Sequence, residues 1–253
     1  IENLYTNRFL NPLATQWQGR VDAMDNWSVP DVTPQRQFYN RYVKPFSTRG
    51  TKVCIVISDA FRYEAAEEMI GRINREKRYQ ASLDHMLSSL PSYTQLGMAS
   101  LLPTDGGVFS ISETDGSVSI DGVSTQGTVN RDKLIKAVLG EAACAQQAKS
   151  ILDMTQTEGR ELFKNHDVIY IYHNRIDHAG DKMQSEGEAF DATERTFDDL
   201  MTLIKKLAAY NASNVLITAD HGFIYQNRAL DESDFLASDT KGDVHYNDRR
   251  FLL

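Results

Sequence analysis

The feature of the sequence that most constrains the fold is an apolar run, Val215–Thr218, that leads into Asp220 and His221. A short, uninterrupted run rich in β-branched residues is typical of a strand that is covered on both faces in a parallel sheet. In open α/β sheets, ligands bind just beyond the carboxyl ends of such strands. We therefore expect Asp220 and His221 to lie at the edge of the sheet where this class of fold performs its chemistry.

Two other apolar runs end in the same kinds of residue. Val53–Ser58 is followed by Asp59, and Val168–Tyr172 is followed by a polar cluster. That cluster contains His173, Asn174, Asp177, His178 and Asp181. Segments with helical periodicity separate the runs, and alternating strands and helices indicate an α/β fold. We predict a mostly parallel central sheet with helices on both faces.

The remaining pattern divides the chain into a lead-in, a core and an insertion. Residues 1–50 have aromatic residues at helical spacing and predict a helical lead-in, and residues 51–253 are the predicted core. Short runs separated by Gly, Asp and Ser predict a small β insertion at about 103–128. Other expected elements are a strand at Tyr79–Met86, a helix at Thr94–Leu102, an edge strand at Leu152–Met154 and a long helix at Glu188–Tyr210. The last residues resemble the start of another strand, so we expect the core to continue past Leu253.

The composition argues against several classes of protein. The formal net charge of −8 disfavours a broadly basic nucleic-acid surface, although it leaves room for a local basic groove. The longest apolar run is too short to span a bilayer, so we expect no membrane segment. Cys54 and Cys144 do not have the pattern of a disulfide framework. These properties predict a protein of the reducing cytoplasm.

Carboxylates and imidazoles at one edge of a sheet indicate a metal site. Asp59, Asp220 and His221 offer oxygen ligands and one imidazole, which suits Zn²⁺ or Mn²⁺. The Thr94 hydroxyl, at the start of a predicted helix, adds a further oxygen and is a candidate nucleophile. A second metal could be held by His173, Asp177, His178 and Asp181. Paired metals are a common solution for phosphoryl transfer. Each residue also has a structural interpretation, because Asp and Thr often cap helices.

Four motifs resemble those of one known family. They are Ser58–Tyr63 (SDAFRY), Pro91–Thr94 (PSYT), Asn174–Gly180 (NRIDHAG) and Ala219–Phe223 (ADHGF). Together they resemble the PglZ domain of BREX bacteriophage-exclusion systems, which belongs to the alkaline phosphatase superfamily. The resemblance covers most of the chain from about Thr51 onward. It implies an alkaline phosphatase-like fold.

The resemblance also implies a distribution of metal ligands. It assigns Asp59, Thr94, Asp220 and His221 to one metal. For the second metal, His178 matches the family pattern, whereas Asn174 stands where an Asp is expected and Asp177 where a Gly is expected. Asp177 is therefore the candidate second carboxylate, and a late His is also expected. His245 comes too early in the chain to match it.

We therefore predict a metal-dependent phosphoesterase, a phosphatase or phosphodiesterase with DNA among its candidate substrates. The resemblance implies Thr94 as the nucleophile, two divalent metals (zinc, with manganese as the alternative) and other BREX proteins as partners. Arg62 is a candidate phosphate clamp or a surface salt-bridge residue, and Asn174 is a candidate substrate contact. The altered second site favours an alternative, a catalytically degenerate metal-binding scaffold that assembles defence proteins. A sulfatase is disfavoured, since Thr94 is followed by Gln95-Leu-Gly-Met.

Overall fold

Helices and short turns form the part of the chain before the central sheet. The computed structural model describes residues 2–180, 189–224, 244–248 and 251. The first elements are α1 (Glu2–Tyr5), a π-helical turn (Thr6–Leu10), α2 (Asn11–Asp22), strand β1 (Thr33–Pro34), a 3₁₀ turn (Gln35–Gln37), a second π-helical turn (Tyr39–Val43) and α3 (Lys44–Thr48). No residue of α2 is buried, whereas Phe38 and Val43 are buried against the core. The later part of this segment therefore anchors it to the rest of the protein.

Strands and helices alternate through the rest of the chain. In order they are β2 (Val53–Ser58), α4 (Tyr63–Arg75), β3 (Met86–Leu87), α5 (Thr94–Ser100), β4 (Phe109–Ile111), β5 (Val118–Ile120), β6 (Val123–Ser124), α6 (Gly127–Leu139), β7 (Ala143–Gln147), α7 (Ala148–Asp153), α8 (Gln156–Asn165), β8 (Val168–His173), α9 (Ile176–Gly180), α10 (Ala189–Ala209) and β9 (Val215–Thr218). Helix α8 begins with a capping box, in which the side chains of Thr155 and Glu158 each bond the other's backbone N–H.

The central sheet has the strand order β7-β8-β2-β9, and every pairing in it is parallel. The two inner strands, β2 and β8, are buried along their whole length, which explains their unbroken apolar sequences. Because the strands are parallel, their carboxyl ends meet at one edge. The prediction of an α/β fold with a mostly parallel sheet is confirmed, as is the prediction of an apolar strand before Asp59, before the polar cluster and before Asp220.

Two apolar cores pack on opposite faces of the sheet. On one face, α5 and α6 cover the odd residues of β2, such as Ile55 and Ile57. On the other face, α4, α8 and α10 cover Cys54 and Val56, and Phe197 and Leu200 of α10 are fully buried there. The expected helices on both faces are therefore present.

The predicted small β insertion is present as a separate antiparallel sheet in the order β4-β5-β6. Val118 and Ile120 of its central strand point into the same core as α5, so the insertion packs against the helix that starts at Thr94. Among the described residues, no helix is long and apolar enough to cross a membrane.

Two local predictions were wrong, and one strand was missed. The predicted strand Tyr79–Met86 forms a ladder only at Met86–Leu87, with β1, because the Asn74 side chain already bonds both backbone groups of Ala81 at 2.8 and 3.0 Å. The predicted edge strand Leu152–Met154 is instead the end of helix α7, whose Ile151 is buried in the core. Strand β7 was not predicted, because its small residues, Ala-Cys-Ala, make a weak apolar signal.

We predict that Ile55→Ala destabilises the protein strongly. Ile55 is fully buried in the central strand, and a buried Ile→Ala change leaves a cavity that costs about 2–5 kcal/mol. Urea denaturation should show this loss, while Val129→Ala, which changes a residue that is 72% exposed on α6, should leave stability almost unchanged. Equal effects of the two substitutions would contradict the placement of β2 at the centre of the core.

Candidate metal centre

Three buried residues converge at the carboxyl edge of the sheet. Asp59 follows β2, and Asp220 and His221 follow β9. One ligand atom from each lies within 4.8 Å of the other two. His221 Nε2 is 3.5 Å from Asp59 Oδ1 and 3.7 Å from Asp220 Oδ2. This group of two carboxylates and one imidazole could hold a metal ion.

Thr94, the first residue of α5, adds a hydroxyl to this group. Its Oγ1 lies 3.0 Å from His221 Nε2, and the side chain is only partly buried. The structure therefore brings together the four residues that were predicted to share one metal. A partly exposed hydroxyl beside an imidazole of this group is well placed for nucleophilic attack.

The unpaired atoms of the group fit a divalent cation. Asp59 Oδ1 and Asp220 Oδ2 are buried, and neither has a hydrogen-bond partner in the described part of the chain. Buried carboxylate oxygens without partners are costly, and a bound cation satisfies them. The Nδ1 of His221 lies 3.0 Å from the carbonyl oxygen of Gly222, which can only accept a hydrogen bond. Nδ1 therefore carries the proton, and the Nε2 lone pair is available to a metal.

Burial raises the pKa values of both carboxyl groups. Burial, together with the nearby charges of Asp220 and Asp177, raises the pKa of Asp59 to about 9. Burial also raises the pKa of Asp220, to about 6, against the hydrogen bond from the Ala60 N–H. At neutral pH a proton therefore occupies the Asp59 carboxyl when no cation is bound. A metal ion that binds here displaces that proton.

The turn after β2 orients both carboxylates. Asp59 N–H donates to the carbonyl of His173 at 2.8 Å, which extends the parallel ladder to the site. The next residue, Ala60, has a left-handed backbone with φ of 58°, and its N–H donates to Asp220 Oδ1 at 3.1 Å. That conformation is unusual for a residue with a Cβ. It directs one oxygen of Asp220 to the backbone and leaves the other for the metal group.

Two residues outside the ligand group hold the end of β9. A Cβ on Gly97 of α5 would lie 2.3 Å from the carbonyl oxygen of Asp220, so only glycine allows α5 to approach this closely. The side-chain amide of Gln35 donates to the same carbonyl at 2.6 Å, and its oxygen accepts the N–H of Ser89 at 3.1 Å. Together they fix the distance between Thr94 and Asp220.

Among the described residues, those predicted for a second metal are not gathered into a comparable group. Asp177 lies near enough to Asp59 for its charge to raise the pKa of Asp59. His178 is exposed and lines a separate cleft of about 690 Å³. Within the described residues, Asp59, Asp220 and His221 are the one such group of three or more potential ligands. A second metal at Asp177 and His178 stays a prediction, and Asp181 lies outside the described residues.

The two other histidines considered for that metal have partners. His173 is buried, with Nδ1 3.0 Å from Ser58 Oγ and Nε2 3.2 Å from Asp199 Oδ2. Burial lowers the pKa of His173, although the Asp199 carboxylate opposes that effect. His245 lies 3.0 Å from Glu113, beside the β insertion.

The two predicted substrate-binding residues, Arg62 and Asn174, have different surroundings. Arg62 Nε is 2.8 Å from Glu64, and its guanidinium lies over the ring of Phe223 at 4.7 Å. Asn174 is exposed, lines the same cleft as His178, and accepts the N–H of His178 at 3.1 Å. Arg62 thus forms a salt bridge, as one of its two interpretations predicted. A substrate contact by either residue stays a prediction.

The sequence signals for the supporting residues were faint. Gly97 inside a predicted helix was the one visible signal, because glycine there weakens a helix unless another group approaches closely. Gln35, Ser58 and Ala60 belong to common residue types, and their contacts depend on segments distant in sequence.

Comparison with known proteins gives one matching family and two similar relatives. Residues 38–253 match the family model described as "BREX system PglZ alkaline phosphatase-like domain". The whole chain is 39% identical, over 260 residues, to "Alkaline phosphatase-like protein BrxZ" of Escherichia coli O9:H4 (strain HS). It is 35% identical, over 256 residues, to "Alkaline phosphatase-like protein PglZ" of Bacillus cereus (strain H3081.97). The chain spans 30% and 29% of the lengths of these two relatives.

We predict that Gly97→Ala disrupts the metal centre. The new methyl group would collide with the Asp220 carbonyl, so α5 and β9 must separate and zinc affinity should fall by about 10- to 100-fold. Calorimetric zinc titration measures this directly. Gly71→Ala is the matched control, since its Cβ would meet only the tip of Arg75 at 3.9 Å. It should keep full zinc affinity and gain about 0.5–1 kcal/mol of stability. Full zinc affinity in Gly97→Ala would contradict the close approach.

We also predict that Asp59→Asn stabilises the metal-free protein while it weakens metal binding. The folded protein keeps a proton on Asp59 up to about pH 9, whereas the unfolded chain releases it near pH 4, at about the ordinary Asp value. Unfolding therefore releases a proton in this window, and wild-type stability falls as pH rises through it. Asparagine has no proton to release. Urea denaturation in EDTA should show that the advantage of Asp59→Asn grows from pH 5 to pH 9; a constant difference would contradict the raised pKa.

Proposed function

The chain belongs to the PglZ family of alkaline phosphatase-like domains, and we propose that it is a metal-dependent phosphoesterase whose nucleophile is Thr94. The observation that supports this most is the 3.0 Å contact between Thr94 Oγ1 and His221 Nε2, at the edge of a group that could hold a metal ion. A hydroxyl in such a position is suited to attack on phosphorus, because the same group that holds it can also compensate the charge of a phosphate.

The residues have separate roles in this proposal. Asp59, Asp220 and His221 would hold the metal, and their two carboxylates and one imidazole suit Zn²⁺, with Mn²⁺ as the alternative. When bound, the metal supplies positive charge that polarises a phosphate oxygen and favours the alkoxide form of a hydroxyl. Ala60 N–H orients Asp220, and the proton on His221 Nδ1 is held by Gly222, so Nε2 stays directed at the group.

Thr94 would form the covalent intermediate. Its Oγ1 forms a bond to phosphorus as the bond between phosphorus and the leaving alcohol breaks, which leaves a phospho-threonine. Water then hydrolyses this ester and restores the hydroxyl. The separate cleft of about 690 Å³, with Asn174 and His178 in its lining, has the volume of a small-molecule site. Asp177 and His178 would be the ligands of a second metal.

The family description refers to a BREX system, and we propose that this protein works with other BREX proteins in defence against phage. DNA is a candidate substrate on this ground, although the net charge of −8 favours recognition through a local site rather than a broad basic surface.

A scaffold without catalysis is the second candidate. It is favoured by the exposure of His178 and by the bond of His245 to Glu113, which leave the second metal without a gathered ligand group in the described residues. In that case the centre at Asp59 would serve to stabilise the fold while the protein assembles its partners.

The two candidates differ in the effect of Thr94 substitutions. If Thr94 is the nucleophile, Thr94→Ala should reduce hydrolysis of aryl phosphomonoesters or phosphodiesters by at least about 1,000-fold, and Thr94→Ser should retain part of it. Zinc or manganese should remain bound in both variants, as measured by elemental analysis. Thr15→Ala, on exposed α2, is the matched control and should hydrolyse at the wild-type rate. Metal binding without turnover in either wild type or Thr94→Ala would favour the scaffold, whereas equal and measurable turnover in both would exclude Thr94 as the nucleophile.

A further inference from the structure

Outside the candidate metal centre, a series of hydrogen bonds between side chains joins the end of β2 to helix α10. Ser58 Oγ lies 3.0 Å from His173 Nδ1, and His173 Nε2 lies 3.2 Å from Asp199 Oδ2. Ser58 is fully buried and His173 is 7% exposed. Arg175 Nε also donates to Asp199 Oδ2, so the Asp199 carboxylate is paired with both His173 and Arg175.

The direction of these bonds is fixed by the acceptor at the end. Ionised Asp199 can only accept, so Nε2 of the neutral His173 ring carries the proton and Nδ1 accepts the hydroxyl hydrogen of Ser58. The three residue types are those of a Ser-His-Asp triad, but they cannot act as one. Ser58 has no exposed surface, and a nucleophile must reach its substrate. This series of hydrogen bonds therefore has a structural role.

The structural effect falls on Asp59. His173 holds Ser58, the last residue of β2, and Asp59, which follows it, because its ring accepts from the Ser58 hydroxyl and its backbone carbonyl accepts the N–H of Asp59 at 2.8 Å. Ser58 and His173 are also the last paired positions of the β2–β8 ladder. After Asp59 the backbone turns through the left-handed Ala60, so the ladder gives no support beyond this point.

We propose that His173 is a positioning residue, which Asp199 orients and which fixes the Asp59 carboxylate for metal binding through Ser58 and the Asp59 N–H. This rests on the proposed function, because it assumes that Asp59 is a metal ligand. Residues that orient a metal ligand without touching the metal commonly affect metal affinity by about 10- to 100-fold. His173 has this effect through the backbone at the end of β2, and it makes no bond of its own to the metal group.

Two substitutions of His173 by an amide residue distinguish a positioning role from a role in which the side chain only fills space. In His173→Asn the amide takes the place of Nδ1 and can still accept from Ser58. In His173→Gln the amide reaches the place of Nε2, so it keeps the contact with Asp199 and loses the one with Ser58. If the His173 side chain only fills space, His173→Gln should keep the higher metal affinity, because Gln is the larger residue. If His173 positions Asp59 through Ser58, His173→Asn should keep the higher metal affinity.

The test is cobalt and zinc affinity of the 253-residue protein, by chelator competition and by the visible absorption of bound cobalt. Ser58→Ala and His173→Gln should each weaken metal binding about 10- to 100-fold. His173→Asn should lose clearly less, and the melting temperature in EDTA should not follow this order. His166→Gln is the control with unchanged affinity, since His166 bonds the backbone of Leu162 at the end of α8.

Three results would overturn the proposal. One is wild-type affinity in a folded Ser58→Ala, which also decides the case if the His173 variants do not fold. Another is an affinity in His173→Asn as low as in His173→Gln. The third is a wild-type protein that binds neither metal, which overturns the proposed function as well. The first two results, with normal metal binding by wild type, overturn the positioning role alone.

Discussion

Two buried carboxylates, Asp59 and Asp220, face each other across the ends of neighbouring strands, and the rest of the site is arranged around their repulsion. Like charges in a poorly solvated place cannot both be ionised unless something compensates them. A proton on Asp59 does so in the metal-free protein, as its raised pKa indicates. The surrounding contacts leave one oxygen of each carboxylate unpaired, so a cation can replace that proton.

The parallel sheet explains why such a costly pair can exist. β2 and β9 are adjacent and parallel, so the residues that follow them must lie side by side. Their backbones are held by the ladder, by Gln35 and by the close approach of α5 at Gly97. The apolar cores on both faces supply the stability that an unfavourable pair of carboxyls reduces. Under the proposed function, stability and metal binding therefore compete at Asp59.

Much of this arrangement could be predicted from the sequence, and the part that could not has physical causes. Uninterrupted apolar runs identified β2, β8 and β9, and parallel pairing then placed Asp59, Asp220 and His221 at one edge. Thr94 followed from a turn and a helix start. Strand β7 was not predicted because Ala143, Cys144 and Ala145 are small. The strand predicted from Tyr79 does not form there because the Asn74 side-chain amide bonds the backbone of Ala81, and a pattern of apolar residues does not show such a contact. The left-handed Ala60 and the role of His173 depend on tertiary contacts that no local pattern encodes.

The central claim is that a metal ion binds between Asp59, Asp220 and His221, next to Thr94. Anomalous diffraction from crystals of the protein grown with zinc, collected on both sides of the zinc absorption edge, tests it most directly. The account predicts a strong anomalous peak bounded by the two carboxylates, the His221 Nε2 atom and the Thr94 hydroxyl. A map whose zinc peaks all lie elsewhere, with Asp59 and Asp220 still facing each other without a cation, would contradict it.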